Sequence, residues 1–111
     1  MFLHINDRMT IEEVQDRFHE CFPNLEIAFY SAPLRGISLH SESFRLAEYD
    51  RIEYVRQYHY NGALEIKSWF PVARVEQELK EMFDLNARIF HVGNDGEPIE
   101  LLQYDELLRK Q

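Results

Sequence analysis

The sequence predicts an α+β domain of the ferredoxin-like (split βαβ) type, with a four-stranded antiparallel sheet and two helices on one face. Two observations predict it. Period-two alternation of apolar residues flanks a stretch of helical periodicity, and this strand–helix–strand pattern occurs twice. The 111 residues suit a single domain, 1–111, which is long enough to bury a core without disulfides.

The first strand–helix–strand unit starts at the amino terminus. Residues 2–6 alternate as a strand, and Thr10 with Glu13 three residues later is typical of a helix N-cap. Residues 25–30 alternate again as a second strand. The helix between the two strands has an apolar stripe formed by Ile11, Val14, Phe18 and Phe22.

The second unit repeats the first 61 positions later. One extra residue near Leu85–Asn86 then aligns Ala87 and Ile89 with Leu25 and Ile27. Right-handed crossovers put strands one and three in the centre of the sheet, although another α+β sheet with helices on one face stays open. The positions that repeat are Leu3 with Leu64, Ile5 with Ile66, Ile11 with Val72, Val14 with Val75, Phe18 with Leu79, and Phe22 with Phe83.

Two further segments complete the predicted domain. An insertion, 31–62, is expected to hold a third helix from Ser43 or Leu46 to Tyr58. A C-terminal extension, 94–111, is expected to form a fifth strand around residues 99–102 and a short helix over residues 104–109. The predicted core is Leu3, Ile5, Ile11, Val14, Phe18, Phe22, Ile27, Leu64, Ile66, Val75, Leu79, Phe83 and Ile89.

Four stretches carry a resemblance: MTIEEVQDRF, FPNLEIAFY, YNGALEI and VEQELKEMFDLNARIF, in this order. They cover most of residues 2–93. The chain resembles a group of small uncharacterised bacterial proteins known mainly from Bacteroidetes. That group has no established activity, so the resemblance implies no catalytic or binding residue. The tail GEPIELLQYDELLRKQ departs from the group, whose members usually continue with a tryptophan-containing strand.

Composition excludes several functional classes. Twenty acidic against twelve basic residues give a net charge of −8, which disfavours binding to nucleic acid. A single cysteine, Cys21, excludes an internal disulfide and any zinc site built on several cysteines, and we expect it to pack at the helix end. No apolar run could span a membrane and no signal peptide is recognisable, so we expect a cytoplasmic protein without membrane contact.

The candidate binding site is the sheet face opposite the two helices. His4 and Glu65 are expected side by side there, with Arg88 beyond His4. Such a histidine–carboxylate pair could act in acid–base catalysis, or it is an ordinary cross-strand polar pair. The predicted residues of this face are His4, Tyr30, Glu65, Lys67, Arg88 and Phe90. The sequence predicts no catalytic residue, cofactor or metal site.

Arginines and tyrosines interleave in the insertion, and this pattern permits a nucleic-acid hypothesis. Nearby acidic residues cancel the positive charge. The alternative is an amphipathic helix whose tyrosine rings pack while their hydroxyls reach water. The residues concerned are Arg45, Arg51 and Arg56 with Tyr49, Tyr54, Tyr58 and Tyr60.

Three functional hypotheses follow from the sequence. The first is a non-catalytic interaction module that acts through self or partner association, with a homodimer or a protein partner expected. Its basis is the surplus of aromatic residues, and the expected sheet face exposes the large apolar or aromatic side chains Phe2, Tyr30, Phe90 and Val92. The second is an acidic inhibitor or immunity-type protein that binds a basic partner. The third is a small enzyme with a site around His4 and Glu65.

Overall fold

The computed structural model describes residues 1–32, 45–92, 98–101 and 108. It is an α+β structure in which both strand–helix–strand units lie where the sequence predicts them. In chain order the elements are β1 (Phe2–Ile5), α1 (Ile11–Cys21), β2 (Leu25–Tyr30), α2 (Ile52–Val55), β3 (Gly62–Glu65), α3 (Val72–Phe83), β4 (Asn86–Val92) and β5 (Pro98–Leu101).

The strands form two antiparallel sheets, β1–β3 and β2–β4–β5. The pairing of β1 with β3 agrees with the prediction for the two central strands. The ferredoxin-like sheet was wrong, because that arrangement separates β2 from β4 whereas here they pair directly over residues 25–30 and 86–91. Period-two alternation identifies the buried face of a strand but not its neighbour, so it could not distinguish one sheet from two.

In both sheets, residues at equivalent positions of the two strand–helix–strand units pair with each other. In β1–β3, Leu3 pairs with Leu64, which is its own counterpart 61 positions later. In β2–β4, Ile27 pairs with Ile89, which is its counterpart after the extra residue. An approximate two-fold axis that relates the units therefore passes through both pairs.

The segments that follow β2 and β4 obey the same symmetry. After β2 the chain returns beside the strand at residues 45–46, and after β4 it returns as β5. Ile52 then donates its N–H to the Met9 carbonyl at 2.8 Å, and Leu108 donates to Phe70, the counterpart of Met9, at 3.2 Å. The described residues that follow β2 and those that follow β4 thus make equivalent contacts in the two units.

Each long helix is also tied to its strand at an equivalent position. Gln15 on α1 donates from Nε2 to the Ile27 carbonyl at 2.9 Å. Glu76, its counterpart on α3, accepts from the Ile89 N–H at 2.9 Å. Burial raises the pKa of Glu76, although this hydrogen bond and the Arg88 charge oppose the rise.

The core lies between the helices and the buried sheet faces. Twelve of the thirteen predicted core residues are buried; Phe22 is half-buried and packs against the Phe18 ring at 5.2 Å between centroids. Cys21 is exposed, so the expectation that it packs at the helix end was wrong. Leu108, predicted to dock from the tail, is buried, whereas the remainder of the predicted tail helix lies outside the described residues.

Helix α1 begins as predicted. The Glu13 N–H donates to the Thr10 hydroxyl at 3.3 Å. The first two helical N–H groups donate instead to the carbonyls of Asp50 and Glu48, both at 2.9 Å. These contacts satisfy donors that a helix start leaves unpaired, and they anchor the segment before α2 to α1.

The predicted helix from Ser43 or Leu46 to Tyr58 was wrong over the described residues, where α2 has only four residues. Arg51 is extended and bridges Thr10, and Arg56 is extended at the other end of α2. Tertiary contacts at both flanking residues override the helical periodicity. Across the described part of the chain, no helix has the length and apolar character that crossing a bilayer requires.

Candidate interaction site

The predicted sheet-face residues do not form one surface. His4 and Glu65 share the exposed face of β1–β3, but His4 stands opposite Ala63, and Glu65 stands opposite Phe2. Glu65 forms an ion pair with Lys67 at 3.3 Å. No described hydrogen bond joins His4 to Glu65.

The other three predicted residues belong to the second sheet. Tyr30 and Phe90 are only 2% and 3% exposed. Arg88 lies 3.8 Å from the Glu76 carboxylate on the neighbouring helix. The exposed sheet face therefore lacks Tyr30 and Phe90, the two aromatic side chains that the sequence predicts there.

A polar network that the sequence did not predict lies beside the carboxyl end of α3. Its centre is Arg56, whose side chain is fully buried. Nε and Nη2 donate to Asp7 Oδ1 at 3.2 and 3.0 Å, Nη1 donates to the Phe83 carbonyl at 3.1 Å, and Nη2 also donates to Asn61 Oδ1 at 3.0 Å. A buried guanidinium is tolerated because these partners satisfy it. We call these contacts the Arg56 network.

Asp7 also contacts the imidazole ring of His59 and holds it in place. His59 Nδ1 lies 3.0 and 3.1 Å from the two Asp7 carboxylate oxygens. The hydrogen bond from His59, together with the hydrogen bonds and charge of Arg56, holds the pKa of Asp7 below its ordinary value even though partial burial opposes this. When His59 is neutral and donates from Nδ1 to the ionised Asp7, its Nε2 carries a lone pair that can accept a hydrogen bond.

Asp84 holds the next stretch of chain. It follows α3 in the left-handed conformation (φ 56°, ψ 41°), and its carboxylate accepts from the N–H groups of Gln57 and Tyr58 at 3.0 and 3.2 Å. Lys80 lies 3.2 Å away on the last turn of the helix. Partial burial acts to raise the pKa of Asp84, but these hydrogen bonds and the Lys80 charge outweigh it and lower the pKa.

The chain held in this way exposes its aromatic side chains. Tyr49, Tyr54, Tyr58 and Tyr60 are 82%, 80%, 65% and 51% exposed. We call residues 49–60 the tyrosine segment. The expectation of packed tyrosine rings on an amphipathic helix was wrong. The nucleic-acid hypothesis also loses support, since Arg56 is buried and Arg51 lies 3.7 Å from Glu53.

Part of the tyrosine segment forms one wall of an open hollow of about 400 Å³. The opposite wall comes from the last turn of α3. Its lining residues are Tyr58, His59, Tyr60, Glu81 and Met82. We call it the tyrosine hollow.

Within the described residues, the equivalent positions of the two units do not repeat two parts of this arrangement. Ser68 stands where Asp7 would be, and α1 ends at Phe22 without a left-handed residue. The corresponding region is a cleft of about 230 Å³ lined by Cys21, Phe22, Pro23, Asn24, Leu25, Ser68 and Leu108.

The contacts of His59 show which chemical groups the site brings together. The described hydrogen bonds of His59 include none to a serine, threonine or cysteine that it could activate as a nucleophile. Nor do the described residues contain a group of three or more histidine, cysteine, aspartate or glutamate side chains able to hold a metal ion. What remains is a rigid, largely aromatic surface.

Comparison with protein-family models, with curated proteins and with solved structures finds no match for the chain. The resemblance to the Bacteroidetes group therefore stays a prediction. One sequence signal did point to the site: the repeat offset lengthens by one residue near Leu85, and Asp84 lies at that position in the structure.

Proposed function

We propose that the protein is a non-catalytic interaction module that binds a partner protein through the tyrosine segment. One observation carries the proposal. Four tyrosines lie within twelve residues of chain, and each is more than half exposed although the backbone beneath them is held by Arg56 and Asp84.

Tyrosine suits this role for physical reasons. Its ring buries a large area with few rotatable bonds, and its hydroxyl accepts or donates in a wet interface. Tyrosine is accordingly enriched at interfaces and at their energetic centres. A segment that is already ordered also loses less conformational entropy on binding than a flexible one.

Charge favours a different protein over a second copy. Two copies with net charges of −8 repel one another, whereas a basic partner is attracted and steered to the surface. The inhibitor or immunity-type hypothesis shares this reasoning and adds that binding blocks the partner's activity. The enzyme hypothesis has less support, since no described hydrogen bond joins His4 to Glu65.

Two matched variants test the proposal. The first replaces Tyr49, Tyr54 and Tyr58 by serine. The second replaces Phe2 and Trp69, which are 62% and 53% exposed, by serine. A partner captured by the wild-type protein is purified, and its binding to all three proteins is measured by calorimetry after their melting curves have been compared.

We expect the triple tyrosine variant to bind at least about tenfold more weakly, because interface tyrosines often contribute more than about 1 kcal/mol each. The Phe2 and Trp69 variant should bind like the wild type. Undiminished binding by the triple tyrosine variant, or an equal loss in both variants, would refute the proposal.

A further inference from the structure

We infer that the tyrosine hollow binds a cationic side chain, lysine or arginine, presented by the partner. This inference rests on the proposed function and adds the chemistry of the group that is recognised. Aromatic walls attract cations because the face of an aromatic ring is electron-rich.

The geometry leaves an aromatic surface open to such a group. The Tyr60 ring packs on one side against Phe83, with 5.4 Å between centroids, and lies over Gly62. Tyr60 is nevertheless half exposed and lines the hollow, as does the more exposed Tyr58. The hollow therefore offers two tyrosine rings, one of them seated on the protein core.

The charges around the hollow have the sign that a cation requires. Glu81 supplies a carboxylate, which accepts a hydrogen bond from Gln77 at 3.0 Å. Neither lysine nor arginine appears among the lining residues. The nearest described cations are engaged elsewhere, Arg56 with Asp7 and Lys80 with Asp84.

His59 adds a hydrogen-bond acceptor. In the neutral tautomer that donates from Nδ1 to Asp7, the Nε2 lone pair of His59 can accept from an ammonium or guanidinium group. Met82 supplies a flexible, polarizable wall that adapts to side chains of different shape. Together these residues provide aromatic faces, one carboxylate and one neutral acceptor.

The test uses two blocked tripeptides that differ only in charge: glycine–arginine–glycine, and glycine–citrulline–glycine, in which neutral citrulline replaces arginine. Each is titrated into the full-length protein while the Met82 methyl and tyrosine ring NMR signals are followed. We expect saturable shifts with the arginine peptide and binding at least about threefold weaker with citrulline, as a cation–π contact implies.

Four variants assign the binding to the hollow. Tyr60→Leu and Glu81→Gln should weaken arginine binding, whereas Tyr60→Phe, which retains a ring, should largely preserve it. Gly62→Ala should also weaken it, because the added Cβ would lie 2.8 Å from the Tyr60 hydroxyl and displace the ring. Trp69→Leu, at an exposed aromatic residue outside both the hollow and the tyrosine segment, is the matched control and should leave binding unchanged.

Equal binding of both peptides, or equal losses in Tyr60→Leu and Trp69→Leu, would overturn the inference. The two proposals fail separately. If the triple tyrosine variant loses its partner while the peptides do not discriminate, the interaction module stands and the cation site falls. If arginine binds the hollow but the triple variant keeps its partner, the partner uses another surface.

Discussion

Asp7 links the candidate site to a measurable pH dependence. Its pKa lies below its ordinary value of 3.8, chiefly because of the hydrogen bond from His59 and then those from Arg56. The folded state therefore favours the ionised carboxylate more than the unfolded chain does. The resulting stability is present above the unfolded pKa and is lost as the pH falls through the folded pKa.

We therefore expect Asp7→Asn to flatten the loss of stability below about pH 5. Urea unfolding of the variant and the wild type at several pH values measures the difference. Asp16→Asn, an exposed aspartate with no described ion pair, is the control and should follow the wild-type curve. A wild-type pH profile in Asp7→Asn would show that the described contacts do not stabilise the carboxylate.

Phe18 tests the predicted core at the level of a single residue. It is completely buried, as is Leu79, its counterpart on the helix of the second unit. Phe18→Ala should lower the free energy of unfolding by about 3–5 kcal/mol, since a large buried ring leaves a cavity. Phe2→Ala, at an exposed position, should cost less than about 1 kcal/mol. Similar midpoints for Phe18→Ala and the wild type in urea would remove Phe18 from the core.

Individual core residues could be predicted, whereas the site residues could not. Leu3, Val14 and Phe18 belong to periodic patterns, and periodicity reports which face of an element is buried. Asp7 and Arg56 belong to no pattern, and 49 positions separate them. Their contact depends on how the units pair, which is a property of the whole fold.

At the scale of elements, the end of α3 determines how the tyrosine segment is held. Asp84 N–H donates to the Lys80 carbonyl and Leu85 N–H to the Leu79 carbonyl, both at 3.1 Å. The bond from Asp84 to Lys80 is the 5→1 bond of an αL helix cap, where glycine is the usual left-handed residue. Here an aspartate adopts the strained left-handed conformation. Its carboxylate accepts hydrogen bonds from the N–H groups of Gln57 and Tyr58.

The variant Asp84→Gly separates the cost of the left-handed backbone from the contribution of the carboxylate. Glycine relieves backbone strain of about 1–2 kcal/mol. The variant also loses two hydrogen bonds to a charged acceptor, which contribute about 1.5–3 kcal/mol each. We expect net destabilisation of at least about 1 kcal/mol in urea unfolding, and a smaller loss in Asp84→Asn, which keeps one acceptor oxygen and tolerates the left-handed region. A stabilised Asp84→Gly would mean that the carboxylate contacts contribute little.

The element predictions succeeded where local signals suffice. Thr10 begins α1, and the apolar stripes define α1 and α3. They failed for the longer third helix, because residues 51 and 56 are committed to contacts with Thr10 and Asp7. Strand β2 also departs from alternation, since Ala28, Phe29 and Tyr30 are all buried. Both failures arise from contacts between segments distant in the chain.

For the whole molecule, the structure alters the reasoning about self-association. The expected dimer rested on an exposed face with Phe2, Tyr30, Phe90 and Val92. Tyr30 and Phe90 are buried, Phe2 is exposed, and the Val92 side chain lies outside the described side chains. Two of the four aromatic or apolar side chains that motivated a dimer therefore need no cover from a second copy.

Together with the charge of −8, this favours a monomer in the absence of a partner. Light scattering over a hundredfold dilution should report a mass near 13.4 kDa up to high micromolar concentration. A doubled mass that the triple tyrosine variant reduces to 13.4 kDa would show that the tyrosine segment binds a second copy. That result would contradict the choice of a different partner protein.

The central claim is that one half of a symmetric fold carries a tyrosine segment that is ordered before any partner binds. Amide hydrogen exchange of the free protein, residue by residue, tests it most directly. The Gln57 and Tyr58 amides should exchange much more slowly than in an unstructured peptide, because both donate to Asp84. In Arg56→Lys they should lose this protection while the Ile89 amide keeps its own. Peptide-like exchange of Gln57 and Tyr58 in the wild-type protein would contradict the claim.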